Sequence, residues 1–343
     1  MKTAIPVVIL NWNGFDDTCA CVQSLLHSEG CDRMNILVVD NGSTNDYGRL
    51  VDTFSDCNLV TIIGLDSNLG FASGINHVAE NYLDLSATKH FILLNNDTVV
   101  EPDWFEKLVS YRNQADLVSS CMIHFFDRGK MDNAGHLFLN TGEILPRGSG
   151  ELVESHRTPQ KTVGVCGGAC LISTRVVKSI GLFDDYFDTG YEDAEFGLRA
   201  ALAGFRSIYA PDAKVYHKIG QSIDKIRDRQ YAIRLQSNIN FTYLKLMPAG
   251  VIVANCPFIA AKFIGICLTA VLTRRWRLLD VQLNSALRTL LELSLIFRKR
   301  RDASRLRRIS ILEVFRLQTF FLSHYARYFV RFILRSEKTI FER

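Results

Sequence analysis

The sequence lacks internal repeats and low-complexity tracts, which sets aside repeat arrays and disordered scaffolds. Paired cysteines are lacking too. The nine cysteines are odd in number and scattered; Cys19 and Cys21 lie too close to pair easily, and Cys166 and Cys170 have no matching His or Cys pair for zinc. That excludes a disulfide framework and a zinc module, and it predicts reduced thiols in a cytoplasmic protein. The opening "MKTAIPVVILNWNG" does not match a secretory signal. Its apolar stretch of about seven residues runs into Asn11-Trp12-Asn13 without a small-residue cleavage site. Acidic residues are scarce in one place only: residues 225–343 hold 7 Asp and Glu against 23 Lys and Arg, whereas residues 1–224 hold 29 against 17. The net charge of +4 therefore conceals an acidic part joined to a basic one, and the basic one suits an anionic surface.

What is present fits a globular chain of 343 residues, 48% hydrophobic and 22% charged, long enough for one large core or two domains. Strand-like runs at residues 4–10, 35–39, 59–65 and 91–94 alternate with helix-like segments at 18–27, 47–54 and 72–82. This order predicts an α/β fold with a mostly parallel sheet and helices on both faces. Each strand-like run ends in a polar tip: "LNWNG", "VVDNGSTND", "DSNLGFASGIN" and "LLNNDT". One such tip is an ordinary turn; four at the carboxyl edge of a parallel sheet describe a ligand cleft.

The tips carry readable chemistry. Asp40 ends a β-branched run, where its carboxylate either accepts from a base imide or ribose or caps the turn at Asn41-Gly42-Ser43. Asn68, Gly70 and Gly74 form a loop into a helix, and there backbone can come close to a phosphate or sugar. Asp97 offers the oxygen ligand that a hard divalent cation needs on a diphosphate. A second carboxylate group lies in "FDTGYEDAEFGLRAALAGFR", residues 187–206. Glu192, Asp193 and Glu195 open a helical pattern, either as acids complementing its dipole or with one of them as a general base. Gly164, Gly167, Gly168 and Gly190 would let substrate approach. His217 follows another strand-like run and is either a structural histidine or a ligand.

In order, "VVILNWNG", "ILVVDNGSTND", "NLGFASGIN", "LLNNDT" and "GYEDAEFGLRA" resemble the inverting glycosyltransferases of family 2, over roughly residues 3–220. The resemblance implies a GT-A fold, a Rossmann-like mostly parallel sheet, with a nucleotide-sugar donor at the tips. Carried over residue by residue, it implies donor contacts from Asn11, Asn13, Asp40, Asn68, Gly70, Asn76, Asn96 and Asp97. It implies a divalent cation, Mg or Mn, on Asp97 and His217. It makes Asp193 the base, with Glu192 beside it and Gly167 and Gly168 on the acceptor side. The family's Asp-x-Asp motif has Asn95 in its first place here, an Asn-Asn-Asp form similar to the bacterial rhamnosyltransferase branch. That points to dTDP-rhamnose as donor and to a lipid-linked glycan acceptor in cell-surface polysaccharide synthesis. No side chain separates rhamnose from galactofuranose, glucose or N-acetylglucosamine. A sugar-phosphate nucleotidyltransferase would need a glycine- and arginine-rich loop with a Lys after the first strand, and "NWNGFDDTCA" has neither. A silent nucleotide-sugar-binding or scaffold protein is kept open by Asn95 and opposed by Glu192-Asp193.

Past residue 222 the pattern turns helical, which predicts a catalytic domain over 1–222 and a basic helical region over 223–343. Residues 251–272 form an apolar stretch interrupted by Asn255, Pro257 and Lys262. Its length permits a span, but a single span would put the basic "RKRRDASRLRR" on the far side from a cytoplasmic domain; an interfacial helix or re-entrant hairpin fits better. Over residues 309–335, a helix would gather Glu313, Arg316, His324, Arg327, Arg331 and Arg335 within about 100° of arc. Phe315, Phe320, Phe321, Leu322, Tyr325, Phe329 and Phe332 take much of the rest. Such a helix suits the headgroup boundary of an anionic bilayer, placing the protein peripherally on the inner face of the cell membrane. The alternative is packing on the catalytic domain or on a second copy of the chain, as a homo-oligomer. No nucleic-acid-binding motif accompanies the basic charge.

Overall fold

The computed structural model describes residues 4–188, 190–218 and 228–322. The first strands and helices are β1 (Ile5–Asn11), α1 (Phe15–Leu26), β2 (Met34–Asp40), α2 (Asp46–Phe54), β3 (Val60–Gly64) and α3 (Phe71–Asn81). Next come β4 (His90–Asn95), β5 (Thr98–Val100), α4 (Trp104–Ser110), β6 (Leu117–His124) and β7 (Met131–Asn133). After them lie β8 (His136–Leu139), β9 (Ile144–Pro146), β10 (Gln160–Thr162), β11 (Ala169–Ser173) and α5 (Thr174–Ile180). Then follow α6 (Glu192–Leu202) and β12 (Ser207–His217). The last are α7 (Arg229–Leu246), α8 (Ala249–Leu272), α9 (Trp276–Leu291), α10 (Leu293–Leu306), α11 (Ile311–Leu317) and β13 (Gln318–Thr319). The chain divides into two compact units, and the division is not a single cut. Leu137–Leu145 and Leu202–Gly204 group with Ile223–Arg343, and the rest forms the first unit.

The first unit is built on a mixed sheet whose main path runs β10-β12-β6-β11-β4-β1-β2-β3. Six of these eight strands point one way; β11 and β10 run against their neighbours. The sheet is mostly parallel, as the alternation of elements predicts. Its central strands read as unbroken apolar runs because both faces are covered: Val7, Ile9, Ile36, Val38, Ile92 and Leu94 are buried in one core with Trp104 and Phe105, and the alternate residues Val8, Leu37, Val39 and Leu93 are buried too. On α1 the buried residues Thr18, Cys21, Val22 and Leu25 fall at helical spacing and mark its inner stripe. Trp104 is fully buried, and its indole N–H is satisfied by Ser120 Oγ at 3.0 Å. Two short strands matter for the site. β5 pairs with the end of β12 and sets Thr98 opposite His217, while β7 pairs with β6. All nine cysteines are free thiols.

The second unit holds α7 to α11, and β13 joins a three-stranded sheet with β8 and β9. The expected 309–335 helix is not continuous. Helix α11 is capped at its start by the reciprocal Ser310 and Glu313 hydrogen bonds and ends at Leu317. Gln318 and Thr319 then turn to strand geometry and pair parallel with Phe138 and Leu139. The remainder of that predicted helix, from residue 323, lies outside the described residues. The 251–272 stretch is one unbroken helix, α8, so no re-entrant hairpin forms there. Among the described residues it is the one helix long and apolar enough to cross a membrane, by length and composition, and 11% of its apolar window is buried. Its polar residues face inward. Asn255 donates to Tyr243 Oη at 3.1 Å, and Lys262, one face-repeat further on, reaches Glu143 at 2.9 Å and the Thr141 carbonyl at 3.1 Å. Val253, Ile264, Leu268 and Leu272 are left exposed on the other side.

Candidate active site

The four polar tips do meet at one edge of the sheet, since β3, β2, β1 and β4 are parallel neighbours. Their asparagines are largely used in holding one another. Asn11 is fully buried at the end of β1. Its amide donates to Asp40 Oδ1 (2.8 Å), Asp46 Oδ2 (3.2 Å) and Ser43 Oγ (3.3 Å). Its carbonyl oxygen accepts from Thr18 Oγ1 (2.8 Å), the Gly14 N–H (3.2 Å) and Asn96 Nδ2 (3.4 Å). Asn96 also donates to Thr18 at 3.0 Å. Asp40 takes the Ser43 N–H on its second oxygen at 3.1 Å, so the capping geometry is present. Asn13, with φ of 51°, accepts from the Thr44 N–H at 3.0 Å.

The third tip follows the same rule. Asn68 Oδ1 accepts from the Gly70 N–H at 2.8 Å and from Asn41 Nδ2 at 3.0 Å, and Asn41 in turn accepts from the Leu69 N–H. At Gly70, φ is 78° and a Cβ would stand 2.6 Å from Asp188 Oδ1. Asp188 thus packs closely on Gly70, and its carbonyl also accepts from the Phe71 N–H at 3.2 Å. Asn76 is tied on both sides of its amide to the Phe183 backbone, at 2.9 and 3.0 Å. These bonds anchor α3 to the chain at residue 183.

The fourth tip is different. Asp97 and His217, far apart in sequence, come together because β5 pairs with β12 and the Lys218 N–H donates to the Asp97 carbonyl at 2.9 Å. His217 Nε2 lies 3.1 Å from Asp97 Oδ1, and Nδ1 lies 2.8 Å from Asp132 Oδ2. Burial alone would push the His217 pKa down, but hydrogen bonds and charge from Asp132 and Asp97 outweigh it and raise it to about 10. Among the described residues no group of three or more His, Cys, Asp or Glu is arranged to hold a metal ion.

The second carboxylate site stands at the start of α6. Gly164 and Gly197 touch backbone to backbone, a Cβ on Gly197 falling 2.6 Å from Gly164 Cα, and this contact lets α6 lie against the 164–168 loop. The loop holds Asp193 directly: the Gly167 N–H donates to Asp193 Oδ2 at 2.8 Å. Gly168 accepts from the Asn95 N–H at 2.8 Å, so Asp193 and the "NND" tip are joined by a few residues of backbone. Behind Asp193 lies buried His136, its Nε2 3.8 Å from Oδ2; burial pushes its pKa down against the pull of that carboxylate. Glu192 is also buried, and its Oε2 has no hydrogen-bond partner. Burial first and the Asp193 charge second push its carboxyl up to about 8. Glu195 has a structural job, being fully buried in a bidentate pair with Arg199, whose Nε donates to Oε1 at 2.9 Å and Nη2 to Oε2 at 3.0 Å.

A family model described as "Glycosyl transferase family 2" matches residues 7–181. The chain belongs to this family. A Shigella flexneri protein named dTDP-rhamnosyl transferase RfbF is 26% identical over 66% of this chain and 73% of its own length. A Myxococcus xanthus protein named O-antigen biosynthesis protein RfbC is 27% identical over 57% of this chain, which spans 16% of that longer protein. Among solved structures, the mannosyltransferase PcManGT from Pyrobaculum calidifontis, in complex with GDP-Man and Mn2+, covers 84% of this chain and 88% of its own at 14% identity, with a TM-score of 0.52. That likeness bears on the fold, and it agrees with the GT-A architecture.

In this family 2 transferase, then, the expected Asp97–His217 and Glu192–Asp193 pairs are each brought together. Asp132, His136 and Asn41 join them without any local signal. Asp132 sits in a short hairpin strand, His136 is a lone histidine in an apolar run, and Asn41 looks like any turn residue.

Proposed function

We propose that this family 2 transferase moves a sugar from a nucleotide-sugar to a hydroxyl of a lipid-linked glycan, inverting the anomeric centre. The observation that carries the reading is Asp193, a carboxylate in the first turn of α6 that is fixed through one oxygen by the Gly167 N–H. Its other oxygen is the proton acceptor. The acceptor hydroxyl oxygen attacks the anomeric carbon opposite the diphosphate, its proton passes to Asp193, and the carbon–oxygen bond to the diphosphate breaks. One displacement inverts the centre, and no covalent enzyme intermediate forms. Glu192, kept protonated near neutrality, donates a hydrogen bond to a substrate hydroxyl.

The nucleotide lies along the tips framed by Asn11, Asn13, Asp40, Asn68, Gly70, Asn96 and Asp97, with Gly167 and Gly168 toward the acceptor. Asp40 retains unshared lone pairs for a base imide or ribose. Asp97 and His217 fit a divalent cation: their ligand atoms stand 3.1 Å apart, and adjacent ligands of an octahedral ion at about 2.1 Å are separated by about 3 Å. A cation held by Asp97 and His217 would supply positive charge against the departing diphosphate. The likeness to the Shigella protein supports dTDP-rhamnose as donor. The outward apolar face of α8, with exposed Arg274, Trp276 and Arg277 at its end, supports docking on an anionic membrane from the cytoplasmic side.

The test is incubation of the purified protein with a panel of nucleotide-sugars, lipid-linked acceptors and Mn2+ or Mg2+, scoring nucleoside diphosphate by mass spectrometry. Release from dTDP-rhamnose with an inverted product supports the full reading. Donor binding without release from any of the panel would overturn it in favour of a silent nucleotide-sugar-binding protein, the reading that Asn95 keeps open.

A further inference from the structure

We propose that Asp132 is the residue that orients His217 toward a divalent cation, its carboxylate holding Nδ1–H so that Nε2 faces Asp97. This rests on the cation reading just given and extends it to a side chain that no motif marks. The backbone already fixes two of the three partners. Strand pairing sets His217 opposite Thr98, and the Lys218 N–H to Asp97 carbonyl bond closes the same end. What the backbone leaves free is the rotation of the imidazole ring. β6 resolves this through its two neighbours, since its Ile123 pairs with Tyr216 of β12 on one side and with Met131 of β7 on the other. That register delivers Asp132 beside the ring, with Oδ2 at 2.8 Å from Nδ1, the shorter of the two carboxylate contacts.

With the Nε2 proton displaced by a cation, the Asp132 carboxylate on Nδ1–H would fix the tautomer whose other nitrogen carries the lone pair. It also adds negative charge behind the ligand, which makes that nitrogen a better donor. Asp132 is partly exposed and lies behind the ring from Asp97, so it acts through His217 and does not complete the ligand set itself. The competing arrangement is a structural bridge in which His217 simply links two carboxylates and no cation enters.

The experiment titrates Mn2+ into the full-length protein with dTDP present, following free Mn2+ by electron paramagnetic resonance. Wild type, Asp132→Ala, Asp132→Asn, His217→Ala and the Asp132→Ala/His217→Ala double variant are compared. Loss of a residue behind a ligand typically weakens metal affinity by about 10- to 100-fold, and that is the expected effect of Asp132→Ala. Asp132→Asn, whose amide oxygen can still accept Nδ1–H, should recover part of it. The double variant should bind no more weakly than His217→Ala, because Asp132 has no other route to the cation. Wild-type affinity in Asp132→Ala, or a full further loss in the double variant, would overturn the inference while leaving the cation reading intact. If Asp132→Ala does not fold, Asp132→Asn alone decides: unchanged affinity overturns the inference. Absence of Mn2+ binding to wild type with dTDP would overturn the cation reading and this inference together.

Discussion

Replacing Glu192 with glutamine should remove a loss of stability that the wild-type protein suffers as the pH rises from 4.5 to about 8. The carboxyl is buried, has one unpartnered oxygen, and sits beside a second carboxylate, so ionising it in the native state is costly. In the unfolded chain the same group ionises at its ordinary value of 4.5, whereas in the native state it holds its proton to about 8. Between those limits the native state binds more protons than the unfolded one, and stability falls as the pH rises. Below 4.5 the full contribution is present; above about 8 it is gone. At about 1.4 kcal/mol per pH unit the whole effect is about 5 kcal/mol at most. Glutamine has the same shape and does not titrate. Urea unfolding of both proteins from pH 5 to 9 should therefore give curves that converge at the acid end. They should diverge in favour of Glu192→Gln by about 2 kcal/mol near pH 6 and by more at pH 8. Because Asp193 is the second cause, Asp193→Asn should shrink the divergence without abolishing it. Parallel curves for wild type and Glu192→Gln across this range would refute the reasoning, since they would mean that Glu192 ionises in the native state as it does in water.

Three further outcomes follow from the same geometry. Asp193→Asn should lower turnover by about 10²- to 10⁴-fold, with donor affinity, read by calorimetry, held within a few-fold; near-normal turnover would remove Asp193 from the role of base. Gly197→Ala should destabilise the first unit by about 1–3 kcal/mol in a melting experiment, because the new methyl meets Gly164 Cα at 2.6 Å and α6 must shift. Its transfer activity should fall further than its stability explains, since Asp193 rides on the same helix. Changing Arg274 and Arg277 to Glu should weaken binding to anionic vesicles by roughly 30-fold or more, at about 1 kcal/mol for each arginine lost, and sedimentation at low and high salt measures it.

The first unit was legible because a covered parallel sheet writes itself locally. Residues 35–39 and 91–94 are apolar without interruption, and the turn residues that follow mark where each strand leaves the core. Direction is another matter. "ACLIS" of β11 reads like any buried strand, and nothing within it says that it enters the sheet reversed between β4 and β6; that depends on the long excursion from residue 125 to 168. The C-terminal misreading has a related cause. The apolar period of 309–335 continues past Leu317, yet the pairing of Gln318 and Thr319 with Phe138 and Leu139 overrides it. Helical period is a local signal, and a strand partner some 180 residues away is not.

The site was legible by residue type more than by task. An asparagine that binds a phosphate and one that wires a turn look alike in sequence, and here the wiring is extensive: the Asn11 side chain alone takes part in six hydrogen bonds. Asn68 and Asn76 are likewise committed to nearby backbone. A network of this kind fixes the positions of the strand tips at the expense of free side-chain donors, because each amide used internally is one not available to a ligand. The groups that retain unspent capacity are therefore the more informative ones. Among the described residues of this edge the acids are the most telling of them: Asp97 against His217, Asp193 on its glycine tether, and the half-partnered Glu192. Acids cannot by themselves attract a diphosphate, which is the physical reason for reading Asp97 and His217 as a cation site. It is also why Asp132, which has no motif and no periodicity to announce it, bears more on how this edge of the sheet would work than several of the asparagines that the pattern picks out.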